Sequence, residues 1–351
     1  MHRRAFVRWA GGLLAIASCG RVVSSEAVRQ PTDRGALLAR WRGRIRSFLA
    51  KEVVPIIDTE ATYNRAIDID YFVGQMDQAG VALVCFAPHG SLGSEYSLRL
   101  HREHPGHFVP TTTDGSSPHW YHNTEAFVAQ TRQDLQTGNY FLMGEFEIRH
   151  YPSHAQVLAG QWNRDVTVPI DSSAVHKLFQ LGVETGIAFQ IHYESEDALL
   201  PPLEWMLERY PRAKVIWCHL GQIRFPDRSK IYGPAYVRSL IERFPGLHFD
   251  LGHTGPGHIY PGNGQRDQTI YQRTGVPPYG WILHSDWKKL IEDHPERFIA
   301  SSDTDAGRYR DLGEKIVRMR NVVFDHLSLR ARHLVAYQNA WRLLSGESWR
   351  S

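Results

Sequence analysis

The sequence predicts an α/β fold in which eight parallel strands close into a (β/α)8 TIM barrel. Three observations point there. Eight apolar runs of strand length recur between residues 53 and 303, each followed by a longer amphipathic segment. Several runs are apolar almost throughout, as expected of strands buried on both faces. The repeats fill about 250 residues, the usual size of a closed barrel. A doubly wound open sheet is the runner-up.

The first regular element begins at residue 33, where DRGALLARWRGRIRSFLA shows helical apolar spacing behind an Asp. Strands are expected near 53–58, 81–87, 107–113, 140–147, 187–193, 214–219, 247–252 and 297–303. Helices are expected near 67–79, 93–104, 120–137, 171–185, 196–210, 234–244 and 281–294, and a last long helical region spans 306–345. Residues 151–170 and 253–280 lack clear periodicity and are rich in Gly, Pro, Tyr and His. They follow the fourth and seventh strands, where long loops commonly cover an active site.

Composition narrows the class. Hydrophobic residues at 42% and charged residues at 22% suit a globular domain. A formal charge of +3 gives no electrostatic case for nucleic acid as a partner. Cys85 and Cys218 sit in apolar runs and are expected to pack as small hydrophobes. No Gly-x-Ser-x-Gly elbow is present, and the GPGH and GNGQ segments do not link a strand to a helix as a phosphate loop would.

The N-terminus reads as an address. MHRRAFVRWAGGLLAIASCG has a basic start and a short apolar stretch, too short to span a bilayer as a helix. Arg3-Arg4 resembles a twin-arginine export signal, and Ile16-Ala17-Ser18-Cys19 resembles a bacterial lipobox. Residues 1–19 are therefore expected to be a signal peptide, 20–32 a polar tether and 33–351 the barrel domain. That implies a periplasmic protein, anchored to the membrane through lipid on Cys19 if the lipobox is used.

Each strand ends in something polar. Strand one carries Asp58, Glu60 and Thr62; strand two ends in His89; strand four carries Glu145, Glu147, Arg149 and His150. Strand five carries His192 and Glu194, strand six His219, strand seven His253, and strand eight Asp303 and Asp305. Alternation puts Glu145 and Glu147 on one face, and His192 and Glu194 on one face. A barrel gathers such ends at one mouth.

The order of IIDTEATY, MGEFEI, FQIHYE, VIWCHLG and RFIASSDTD, with the closing VAYQNAWRLLSG, resembles the amidohydrolase superfamily over roughly 53–346. The similarity is to the branch of metal-dependent hydrolases and nonoxidative decarboxylases. It implies His192 and Asp303 as ligands of one divalent metal ion, zinc, manganese, magnesium or similar. It also implies His219 and Asp303 as the catalytic acid–base pair. The family's two strand-one histidines are replaced by Glu60 and Thr62. Three readings stay open: a remodelled metal site of Glu60, His192 and Asp303, with Glu145 or His219 in support; metal-free catalysis by Asp303; or a barrel kept for binding alone. The resemblance implies hydrolysis of an amide, ester or lactone bond in a small, carboxylated molecule, with decarboxylation as the alternative. Arg149 and Arg224 would suit a carboxylate or phosphate on that substrate, and His89 and His253 are further substrate-binding candidates.

Overall fold

Apolar runs that bury both faces need neighbours on both edges, and here they form eight staves. These are β1 (Ile56–Tyr63), β2 (Val81–Pro88), β3 (Phe108–Val109), β4 (Leu142–His150), β5 (Ala188–Tyr193), β6 (Val215–Trp217), β7 (Leu247–Asp250) and β8 (Phe298–Ile299). The computed structural model describes residues 33–252, 256–275 and 279–350. The expected signal peptide and tether (1–32) and His253 lie outside the described residues.

Within two groups the staves pair in parallel, β1 with β2 and β2 with β3, and β4 through β8 in sequence order. Two backbone seams join these groups. Thr112 N donates to Leu142 O at 3.1 Å and Glu147 N to Gly115 O at 3.1 Å, which couples the end of β3 to β4. Thr59 N reaches Ala300 O at 3.3 Å and Thr62 N reaches Thr304 O at 2.8 Å, which couples β8 back to β1. The ring is closed, so no stave presents an open edge.

Helices wrap the ring, and their ends are written in the sequence. The leading helix α1 (Arg34–Leu49) starts where Asp33 accepts Ala36 N at 3.1 Å. Helix α2 (Ile69–Ala79) starts on Asp68 and ends at Gly80, whose φ of 75° suits a residue without Cβ. Cys85 and Cys218 are buried free thiols. Among the described residues no helix is long and apolar enough to cross a membrane.

Three departures from the sequence expectation bear on how the ring is held. β1 runs through Asp58, Thr59, Glu60 and Thr62 rather than stopping at the first polar residue, because the ring satisfies them internally; Thr59 Oγ1 donates to Ala300 O at 3.1 Å. The helix expected from 281 begins at Ser285, since Trp281–Leu283 pairs antiparallel with Tyr271–Arg273. The closing region of 306–345 contains a π turn at Leu334–Gln338, which lets Val335 O accept Ala300 N at 3.0 Å. Just after that turn, buried Asn339 donates to Pro295 O and Phe298 O at 2.7 and 2.9 Å. The closing helix thereby fixes β8 beneath the site.

Candidate active site

The stave ends open into a cavity of about 650 Å3 lined by Thr62, His89, Glu145, Glu147, His192, His219, Arg224 and Asp303 among others. Two of these residues sit on strained backbone. His219 has φ 57° and Asp303 has φ 49°, the left-handed region that non-glycine residues seldom adopt. Such conformations persist only where the surroundings hold them. Buried Asp250, at the end of β7, accepts His219 N at 2.9 Å and also Gly252 N and Ser301 Oγ. Buried Asp58 accepts Ser302 N at 2.9 Å, and Lys315 Nζ donates to Asp303 O at 2.8 Å. Two carboxylates and a lysine thus fix the turns that present His219 and Asp303.

Three donor atoms converge at the cavity floor. Glu145 Oε1 lies 3.0 Å from His192 Nδ1 and 3.2 Å from His219 Nε2, and the two ring nitrogens are 3.1 Å apart. Each ring also has an acceptor beside its outward nitrogen. His219 Nδ1 faces the carbonyl of Gly252 at 3.2 Å, which can only accept, and Glu60 Oε2 at 3.6 Å. His192 Nε2 faces Glu194 Oε1 at 3.4 Å. Neutral imidazoles protonated outward would leave two bare nitrogens and a carboxylate oxygen facing one another, which is repulsive unless a cation or protons sit between them. Protons there make His192 and His219 donors to Glu145.

The trio fits a divalent metal. Ligand atoms bonded tetrahedrally at about 2.0–2.1 Å lie about 3.3 Å from one another, a few tenths from the spacing here. Each histidine also has the outer acceptor, carboxylate or carbonyl, that orients a ligating imidazole. Among the described residues, ligand-atom groups within 4.8 Å are Glu145–His192–His219, Glu60–His219–Asp303 and Glu60–Cys218–Asp250. Glu60, His192 and Asp303 do not form such a group by themselves; His219 joins the first two clusters.

Charge follows position. Burial works against ionisation of Glu145, but hydrogen bonds from His192 and His219 hold it well below the usual carboxylate range. Burial would likewise lower His219, and the charges of Glu60 and Glu145 outweigh it and raise it well above an ordinary histidine. Glu60, deep behind His219, is pushed well up by burial despite the histidine's charge. Asp303 is held low by the Arg308 and His219 charges against burial, and its two oxygens take Arg308 Nη1 and Nη2 at 3.2 and 3.0 Å. Glu147 is raised to about 7 by burial, offset in part by its contact with Arg164.

The remaining expected residues fall on both sides of the wall. His89 and Arg224 line the cavity. Arg149 does not: it pairs with Asp165 at 2.6 Å, donates to Val166 O at 2.8 Å and lies over the Tyr151 ring. Alternation alone would put Arg149 on the face of Glu145, but the strand register shifts between Glu147 and Arg149, and His150 lines the cavity instead. Arg164, from the loop after β4, takes the cationic place on the inner side. Sequence reasoning missed Arg164, Arg308, Lys315 and Asp250. Only Asp250 had a local signal, a carboxylate closing the apolar run LHFD.

No family model matches the chain, and no curated protein sequence matches it. Solved structures do. A probable 2-pyrone-4,6-dicarboxylic acid hydrolase from Acinetobacter baumannii, with citric acid bound, aligns at 12% identity over 83% of this chain and 99% of that chain, with a TM-score of 0.52. A 2,6-dihydroxybenzoate decarboxylase complexed with 2,6-dihydroxybenzoate aligns at 10% over 83% and 99%, TM-score 0.48. An amidohydrolase from Burkholderia multivorans with bound zinc aligns at 13% over 83% and 99%, TM-score 0.47. Identity this low speaks to fold alone, and the likeness to the hydrolase agrees with the (β/α)8 barrel described above.

Proposed function

We propose that the protein is a metal-assisted hydrolase that opens an amide, ester or lactone bond in a small molecule. One observation carries this reading: three potential ligand atoms, from Glu145, His192 and His219, converge at 3.0–3.2 Å on the cavity floor. Those residues would hold the ion. Two imidazoles and one carboxylate suit zinc or a similar transition metal better than a hard oxygen-seeking cation. When bound, a divalent ion supplies Lewis acidity, lowering the pKa of water from about 15.7 toward about 7 and polarising a carbonyl.

The chain's own residues supply the rest. Asp303, half-buried and ionised, stands beside His219 and can take the proton of the attacking water. Arg308 spans Asp303 and Asp305, holding the base in one orientation. Glu147, with its pKa near 7, lines the wall above Glu145 and can return a proton to the leaving group. Glu60 takes a supporting place behind His219 rather than a place on the cavity wall.

The test begins with chelated, dialysed protein reloaded with zinc and challenged with small esters, lactones and N-acyl compounds. Near one zinc per chain, with hydrolysis that disappears on chelation, supports the reading. Equal zinc uptake by wild type and Glu145→Gln/His192→Ala would overturn it. Release of carbon dioxide without water addition would point to decarboxylation instead. The export and lipid anchor inferred from Arg3-Arg4 and Cys19 are tested separately, by fractionating Arg3→Lys/Arg4→Lys and Cys19→Ala variants.

A further inference from the structure

His89 follows the last residue of β2, lines the cavity and leaves 42% of its side chain exposed. Among the described residues its ring hydrogen bonds run through Nδ1, to Ser116 Oγ at 2.9 Å and Asp114 Oδ2 at 3.4 Å. Ser116 Oγ donates to Asp114 Oδ1 at 2.8 Å, so it accepts from Nδ1. Asp114 is 1% exposed and also accepts Gly90 N at 3.0 Å and Ser116 N at 3.3 Å. A buried carboxylate tied to the backbone on both sides thus holds the imidazole in one orientation, with Nε2 left to the cavity. The same strip borders the convergent trio: Asp114 N donates to Pro88 O at 2.9 Å and Gly115 N to Glu145 O at 2.6 Å. The hydrogen bond to Asp114 raises His89 above an ordinary histidine against burial, which favours a proton on Nε2. Glu147, the other acid on the wall, is less free. Arg164 contacts its Oε1, and its Oε2 is buried without a hydrogen-bond partner among the described residues.

We propose that His89 is a catalytic residue whose Nε2 gives a proton to the leaving group, with Asp114 as its positioning residue. This rests on the hydrolase reading and narrows it, because of the two acids on the wall His89 is the one open to a departing atom. The step balances. Asp303 takes one proton of the attacking water, and the water oxygen bonds to the carbonyl carbon. The bond to the leaving oxygen or nitrogen breaks, and its electron pair stays on that atom. The Nε2 proton of His89 then neutralises it. Neutral His89 is left and regains a proton from solvent, which its exposure allows. Asp303 gives its own proton back to solvent. The arrangement favours substrates whose leaving group cannot depart as a stable anion, which are alkyl esters, aliphatic lactones and amides.

The test compares ethyl acetate, whose leaving oxygen needs a proton, with p-nitrophenyl acetate, whose leaving group departs as a stabilised anion. Both are given to the zinc-loaded full chain. His89→Gln should lose roughly a hundredfold in kcat/KM with ethyl acetate and less than about tenfold with p-nitrophenyl acetate. Equal losses on the two esters overturn the proposal. So does a loss confined to ethyl acetate that appears in Glu147→Gln and not in His89→Gln. Proton NMR of the chelated protein gives a readout that needs no turnover. The His89 ring signal, assigned by its absence from His89→Gln, should titrate above an ordinary histidine and move down in Asp114→Asn. A ring that titrates as an ordinary histidine, or ignores Asp114→Asn, overturns the proposal and leaves the hydrolase reading standing. Zinc uptake without hydrolysis of either ester removes the hydrolase reading and the His89 step with it.

Discussion

His192 Nδ1 and His219 Nε2 stand 3.1 Å apart, on two different staves, with Glu145 Oε1 closing the triangle. Asp303 stands outside that triangle, its carboxylate engaged by Arg308. Holding the ion and moving the proton are thereby assigned to different side chains, and they can be separated by mutation. Glu145→Gln is expected to lower zinc affinity at least tenfold. Asp303→Asn is expected to keep zinc and lose at least a hundredfold in turnover. Metal content by plasma mass spectrometry, set beside turnover, checks both; an Asp303→Asn protein that emerges without metal would move Asp303 into the ligand set.

Asp250 touches no cavity surface, yet it holds the left-handed turn at His219 by accepting its N–H at 2.9 Å. Asp250→Ala leaves two backbone donors unpaired, on His219 and Gly252, and leaves Ser301 Oγ only its contact with Glu60 Oε2 at 3.3 Å. Loss of a buried network and a strained turn together costs about 3 kcal/mol. Denaturant midpoints should show that loss, and zinc affinity should fall with it by about tenfold. A variant destabilised to this degree with unchanged zinc affinity would show that the turn is not what aims His219.

The barrel was legible because apolar runs of strand length bury both faces, and His192, His219 and Asp303 were legible because each closes such a run. Glu145 was harder to weigh, since a glutamate inside a strand reads equally well as half of a buried ion pair. Its neighbour Glu147 is such a half, paired with Arg164. The arginines resisted reading for another reason. Arg149 and Arg164 both follow the fourth run, and only the antiparallel return of Val166–Thr167 onto Arg149 and His150 decides which one faces inward. Glu60 sits in the position where the family pattern suggests a ligand. Its carboxylate, however, lies behind His219, which no one-dimensional pattern reports.

Arg164 ties the loop after β4 to the barrel through Glu147 and Ser116 O, and its own carbonyl accepts His150 Nδ1 at 2.7 Å. Arg164→Ala removes one partner of a largely buried pair. Glu147, already raised to about 7 by burial, then becomes a neutral acid at physiological pH. The cost is about 1–3 kcal/mol, moderated by the partial exposure of Arg164 and by that protonation. The expected outcome is faster chymotryptic cleavage near Tyr151 and Trp162, with little change in the global midpoint. Unchanged cleavage would mean that the loop is held elsewhere.

His248 on β7 offers a pH test away from the cavity. It is 4% exposed, donates from Nδ1 to Gly246 O at 3.1 Å, and is pushed down to about 3 by burial and by the charges of Arg297 and Arg342. An unfolded histidine titrates at about 6.5. Between about pH 6.5 and 3 the unfolded chain therefore binds a proton that the native chain refuses. The contribution of His248 is fully present above pH 6.5 and is lost as pH falls, at about 1.4 kcal/mol per pH unit at most. His248→Asn removes the titration and keeps an N–H donor for Gly246. Carboxylates still contribute to acid unfolding, so the readout is the difference in slope between variant and wild type, from urea midpoints at pH 6, 5 and 4. The variant should lose stability less steeply, by about one proton's worth of slope. Parallel slopes would mean that His248 takes up its proton in the native state as readily as in the unfolded one.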